Sequence, residues 1–144
     1  FSGVGGGLTQ GFRSSYMSMF AEAQGSIGVV LNGPTPLKTV EQVCKVIDIP
    51  VISTVTSKYT KIDEKLKLGV KVINISAGKK TAETVRYFRE RYPELPIIAT
   101  GGPTDESILE TIEAGANAIT YTPPSNGELF SKKMQHYREM EKPD

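Results

Sequence analysis

The residues at the ends of the predicted β-strands could bind a polar ligand, because they are small, polar and almost uncharged. Short β-branched runs end in side chains that carry amides or hydroxyls, or in glycine: Asn32 and Gly33, Thr54 and Thr56, Asn74 and Ser76, Thr100 to Gly102, and Tyr121 with Thr122. Asp, Glu, His and Lys are absent from this set. Amides and hydroxyls donate and accept hydrogen bonds, so Asn32 and Thr54 are predicted to orient a ligand.

Charged groups that could do acid–base chemistry come only from the predicted loops. Lys79 and Lys80 follow a strand end, where they would either neutralise an anion or begin a solvated helix. A Schiff-base lysine would have to lie at a strand's carboxyl end, but Lys71 stands at the start of its strand. If the chain is an enzyme, we expect Asn74, Lys79 and Tyr121 to be its catalytic residues.

Neither a metal site nor a redox cofactor is predicted. A metal needs convergent His, Cys or carboxylate ligands. The one histidine, His136, lies in the predicted last helix, and the one cysteine, Cys44, lies on a predicted core stripe. The glycine-rich stretch GVGGGLTQG near the start lacks the acidic residue about 20 positions on that a dinucleotide site requires.

The elements that must position these residues alternate regularly between strand and helix. Five runs read as strands, at 26–32, 50–55, 70–76, 96–102 and 117–122, and FSGVGG at the start is a sixth candidate. Their spacing of roughly 20 to 26 residues leaves room for one helix and two loops after each strand. Near-continuous apolar runs such as IGVVL indicate parallel strands that are covered on both faces.

Two α/β architectures fit this alternation, each as one domain over 1–144. One is a parallel β/α-barrel of the TIM type, partial or incomplete at its N-terminus, with one or two strands before Phe1. The other is an open, five-stranded, flavodoxin-like doubly wound sheet. Length favours the open sheet, because a whole barrel takes about 250 residues.

A motif near the C-terminus favours the barrel. The stretch PIIATGGPTDESILETIEAGANAITYTPPS (96–125) resembles strands seven and eight of phosphate-binding barrels, such as the ribulose-phosphate-binding superfamily and the ketodeoxyphosphogluconate aldolases. The resemblance implies that Gly101, Gly102 and Thr122 cradle a phosphate with backbone N–H groups at a helix start. The whole chain is also similar to an uncharacterised group of bacterial barrel proteins that is loosely labelled hydrolase.

Charge, cysteine content and the expected sheet edges indicate which partners and which compartment to expect. Lys and Arg number 17 and Asp and Glu 16, a net charge of +1, which predicts neither a nucleic-acid nor a membrane partner. A single cysteine is typical of a reducing compartment, so we expect a cytoplasmic protein. The exposed sheet edges of an incomplete barrel would favour a homo-oligomer.

The sequence therefore predicts a barrel protein that binds a small phosphorylated or anionic metabolite. As an enzyme it would be a lyase, isomerase or hydrolase that acts on a sugar phosphate or oxo-acid without a cofactor. The alternative is a non-catalytic metabolite sensor or structural subunit.

Overall fold

Strands and helices alternate along the whole described chain. The structure is a computed structural model that describes residues 1–4, 11–100, 105–120 and 134. Its elements are β1 (Ser2–Val4), α1 (Gly11–Ala23), β2 (Val29–Leu31), α2 (Leu37–Val46), β3 (Val51–Val55), α3 (Asp63–Leu68), β4 (Val72–Ile75), a 3₁₀ turn (Gly78–Lys80), α4 (Thr81–Arg91), β5 (Ile97–Thr100), α5 (Asp105–Glu113) and β6 (Ala118–Thr120). Each described strand lies within one of the six predicted runs, β1 within FSGVGG.

The six strands form one parallel sheet in the order β1-β2-β3-β4-β5-β6. Because parallel crossovers are right-handed, stepping always in one direction puts every connecting helix on the same face of the sheet. A doubly wound sheet instead reverses its strand order at a switch point and carries helices on both faces. The observed order confirms the barrel-type architecture and does not fit the flavodoxin-like alternative.

The core between the sheet and its helices has two halves. One half packs α1 and α2 on the first strands, with Val40 and Val43 of α2 fully buried against Val29 and Leu31. The other half packs α4 on β4 and β5 through Val85 and Phe88, with the residues Ile73, Ile75, Ile97 and Ala99 beneath them. Leu66 of α3 packs against both halves. Val40 and Val43 thus lie on the buried face of α2, and Val85 and Phe88 on that of α4.

Arg89 of α4 ties together two loops at the amino ends of the strands. Its guanidinium donates to the carbonyl oxygens of Tyr92, Pro93, Leu95 and Gly115 and to Oδ1 of Asn117, at 2.6 to 3.2 Å. Gly115 ends α5 with φ of 112°, and a Cβ there would come within 2.8 Å of Arg89 Cγ. Glycine is thus needed at 115 both for the left-handed backbone and for the arginine beside it.

No helix within the described ranges is both long enough and apolar enough to cross a lipid bilayer.

Candidate functional site

The parallel sheet brings the carboxyl ends of its strands to one edge, which we term the carboxyl edge. Strand side chains alternate between the two faces. Ile73 and Ile75 of β4 point into the core beneath α4, so Asn74 between them points to the opposite, helix-free face. The same alternation in β3 and β5 puts Thr54 and Thr100 on the helix-free face near the carboxyl edge.

Four polar side chains on this face are joined by hydrogen bonds across four strands, and we call them the polar ladder: Thr54, Asn74, Thr100 and Thr120. Asn74 Nδ2 donates to Thr54 Oγ1 at 3.4 Å, and Thr100 Oγ1 donates to Asn74 Oδ1 at 3.2 Å. Thr100 and Thr120 Oγ1 lie 3.1 Å apart. Because the Thr100 hydroxyl has one hydrogen, which it gives to Asn74, Thr120 must be the donor in that pair.

This direction of bonding leaves donors at the β3–β4 end of the ladder. Thr54 accepts from Asn74 and keeps its own hydroxyl hydrogen, and Asn74 keeps a second amide hydrogen. Both side chains are half-buried rather than covered. A ligand oxygen above β3 and β4 would find two donors there. Asn74 and Thr54, two of the predicted site residues, are thus brought together by direct contact.

Asn32 makes different hydrogen bonds from Asn74, although each lies near the carboxyl end of a buried strand. Its Oδ1 accepts from Thr35 Oγ1 at 2.7 Å, and its carbonyl oxygen accepts from Thr35 N at 3.2 Å. The Asn32 carbonyl and Oδ1 therefore close the turn between β2 and α2.

The lysines predicted near this edge occupy two distinct positions. Lys79 lies exposed on the 3₁₀ turn after β4. Lys80, its neighbour, lines a cavity of about 270 Å³ together with Lys58 and Glu83. Lys58 Nζ lies 3.5 Å from Glu83 Oε1, longer than a strong charge-assisted hydrogen bond. Of the lysines on the loops that follow β3 and β4, Lys58 and Lys80 thus share a cavity with one carboxylate.

Several predicted site residues lie outside the described part of the chain. Gly101, Gly102, Tyr121 and Thr122 belong to this group, so the phosphate cradle and the proposed proton donor stay predictions. Thr120 was missed by sequence reasoning, although its hydroxyl completes the ladder. Only the strand pairing, in which Thr120 stands opposite Thr100, identifies it.

The chemistry of the described edge is hydrogen bonding rather than proton transfer, because no ladder side chain titrates near neutral pH. Two groups with shifted pKa values lie on helices instead. Burial raises the pKa of the Cys44 thiol on α2, against the opposing charge of Lys71, and burial lowers the pKa of the Lys65 ammonium on α3. Across the described ranges, no three His, Cys, Asp or Glu side chains converge as metal ligands would.

Comparison with known proteins identifies the fold and no more. No family model and no curated protein matches the chain. Among solved structures it is similar to a mandelate oxidase variant (TM-score 0.68, 15% identity, covering 79% of this chain and 47% of that one). It is also similar to N-acetylneuraminate lyase from Mycoplasma synoviae (0.64, 13%, 83% and 44%) and to the aldolase QR15 (0.66, 19%, 90% and 70%).

The chain spans less than half the length of that oxidase and that lyase. Its six parallel strands therefore curl into a half-barrel that matches part of a TIM barrel. The matched proteins include an oxidase, a lyase and an aldolase, so the shared fold names no reaction.

Proposed function

We propose that the chain binds a small phosphorylated or anionic metabolite at the carboxyl edge of its half-barrel. The observation that carries the proposal is the polar ladder, which directs spare donors from Thr54 and Asn74 to the edge where barrel enzymes bind their substrates. An uncharged row of amide and hydroxyl groups suits the hydroxyl or carbonyl oxygens of a sugar or an oxo-acid.

The lysines around the carboxyl edge support the proposal that the ligand carries a negative charge. Lys58, Lys79 and Lys80 stand on loops that leave this edge, and Glu83 is the one carboxylate that lines the cavity shared by Lys58 and Lys80. In the sequence, Gly101 and Gly102 directly follow the ladder residue Thr100. A phosphate held by that glycine pair would therefore lie beside the ladder, in keeping with the family resemblance.

Two functions fit such a site, one catalytic and one not. A lyase, isomerase or hydrolase would use Asn74, Lys79 and Tyr121 on the bound sugar phosphate or oxo-acid, with Asn32 and Thr54 orienting it. A non-catalytic metabolite sensor is the second candidate, and a specific observation favours it: the described ladder contains no group that could act as a general base near pH 7.

The test is a thermal-shift and calorimetric titration with inorganic phosphate, sulfate and a panel of sugar phosphates. A ligand at 100 times its dissociation constant stabilises the fold by about 2.7 kcal/mol, which raises the melting temperature by roughly 8 °C for a chain of this size. Gly101→Val would abolish the response to phosphate itself. Asn74→Ala would weaken a sugar phosphate about tenfold, the worth of one or two hydrogen bonds.

Two lysines on either side of β4 provide a matched pair of variants. Lys80→Ala removes a charge from the carboxyl edge, whereas Lys71→Ala removes the same charge from the exposed residue before the strand begins. We expect only Lys80→Ala to weaken binding. Two results would contradict the proposal: equal weakening of binding by the two substitutions, or a folded protein that responds to no anion.

A further inference from the structure

Helix α1 buries its small residues and exposes its large apolar ones, the reverse of the usual pattern. Ser14, Ser18 and Ala21 form its buried face, and α1 packs mainly on α2. Tyr16 and Phe20 on the other side are 67% and 66% exposed, and Met17 is 42% exposed. Small buried side chains let α1 lie close to its neighbour, whereas the large apolar side chains on its other side stay at the surface.

The exposed face continues into a groove beside the first strand. Tyr16, Met17 and Phe20 line it with Ser2 and Val4, and its volume is about 430 Å³. Within the described sheet, β1 pairs with β2 alone. In a closed barrel the helices form an outer ring, in which each helix has a neighbour on both sides. Among the described elements α1 packs mainly on α2, so its other side is open to one more helix.

The charge pattern of the face indicates which helix fits. Helical spacing puts Arg13 on the same face as Tyr16, Met17 and Phe20, and Arg13 is exposed. The first turn of α1 contains no acidic residue, and the last turn contains no basic one. A cation near a helix N-terminus is unfavourable, whereas near a helix C-terminus it is stabilised by the helix dipole and the terminal carbonyl groups. An antiparallel copy of α1 would bring each Arg13 to the other helix's C-terminal end.

The same arrangement matches the apolar residues. If two copies of α1 pack antiparallel about a two-fold axis that passes near residues 18 and 19, Met17 of each copy faces Phe20 of the other. Thioether–aromatic contacts of this kind are favourable. No charged residue lies between Tyr16 and Ala21, so the symmetric pairing brings no like charges together.

We propose that the chain forms a symmetric dimer through α1, with the two helices antiparallel. The three exposed side chains offer roughly 350 Å² per copy, taking about 150–250 Å² for each aromatic side chain. The stem of Arg13 and the edge of β1 add to this area. A standard interface buries about 800 Å² on each partner, so this dimer is a weak one that dissociates at micromolar concentration.

Sedimentation velocity and light scattering on the full chain, between about 1 and 200 µM, test the proposal. The average mass is expected to rise from 15.7 kDa towards twice that value. Phe20→Glu places two carboxylates against apolar surface and is expected to weaken association at least about 30-fold, the size of a typical hot-spot loss. Arg13→Glu moves an anion to the helix end that favours cations, and is expected to weaken association about tenfold.

The matched control lies on the opposite flank of the sheet. Leu109 of α5 is 58% exposed, and Leu109→Glu makes the same chemical change away from α1, so association should be unchanged. Loss of association in that variant would indicate head-to-tail pairing and overturn the proposed two-fold contact. A monomer at every concentration would overturn it too. Circular dichroism checks that each variant is folded, and Met17→Glu replaces Phe20→Glu if that variant unfolds.

Discussion

Removal of the Arg89 side chain should destabilise the fold without touching the carboxyl edge. The guanidinium holds four carbonyl oxygens and the side chain of Asn117 at the amino ends of the strands. Asn117 Oδ1 in turn accepts from the backbone N–H of Ile97, the first residue of β5. A single arginine thus connects α4, the loop before β5 and the loop before β6.

The expected loss follows from the number of acceptors. Each of the five acceptor groups contributes about 0.5–1 kcal/mol net, because most are only partly buried and water can replace the arginine. Arg89→Met keeps the apolar stem and removes every donor, so we expect a loss of about 3 kcal/mol. For a chain of this length that lowers the melting temperature by roughly 10 °C.

Two further substitutions separate geometry from charge. Arg86→Met removes an exposed arginine from the same helix and should change the melting temperature little. Arg89→Lys keeps the charge but loses the planar fork that reaches several carbonyl groups at once, so most of the loss should remain. Urea denaturation of the three variants measures these differences. A cost below about 1 kcal/mol for Arg89→Met, or a lysine variant as stable as the wild type, would refute the reasoning.

Three other substitutions test the fold away from the site, each by urea denaturation. Gly69 ends α3 with φ of 117°, so Gly69→Ala should cost about 1–2 kcal/mol, and an unchanged midpoint would contradict the left-handed cap. Glu22 Oε2 accepts from the backbone N–H groups of Asp48 and Ile49 at 2.6 and 3.1 Å. Glu22→Ala should cost about 1–2 kcal/mol and Glu22→Gln less, whereas equal losses would mean that the acceptor is unimportant. Lys65 is 7% exposed, and burial lowers its pKa below the ordinary 10.5. Between the folded pKa and 10.5, the unfolded chain therefore binds more protons than the folded protein. The free energy of unfolding of the wild type accordingly rises with pH across this window. Lys65→Met should be the more stable protein at pH 7, with an advantage that shrinks at high pH, and a constant difference would argue against the burial effect.

The polar residues at strand ends show how far local sequence can predict a site. Asn32 and Asn74 were predicted on the same grounds, but Asn32 bonds to Thr35 three positions away, whereas Asn74 bonds to Thr54 and Thr100 on neighbouring strands. The first contact is local and a turn pattern can suggest it. The second depends on which strands are neighbours and on their register, which no short stretch of sequence contains.

The two lysines after β4 show that local sequence does not assign charged residues to a site either. Lys79 and Lys80 are adjacent and chemically identical, yet only Lys80 lines the cavity with Lys58 and Glu83. Both lie on the 3₁₀ turn that precedes α4, so only the folded turn decides which of them lines the cavity. The phosphate cradle at Gly101 and Gly102 stays a prediction, for which the anion titrations are the direct test.

The sequence alone determined the alternation of strands and helices, because β-branched runs, amphipathic stripes and terminal glycines act over a few residues. It also determined that the strand ends are polar and uncharged. Only the tertiary structure decided between a barrel-type and a doubly wound sheet, since both share the same local pattern and differ in strand order. It alone joined four strands through the polar ladder, brought Arg89 to two distant loops and turned the aromatic face of α1 outward. Each of these depends on contacts between residues that are far apart in the chain, and only packing brings them together.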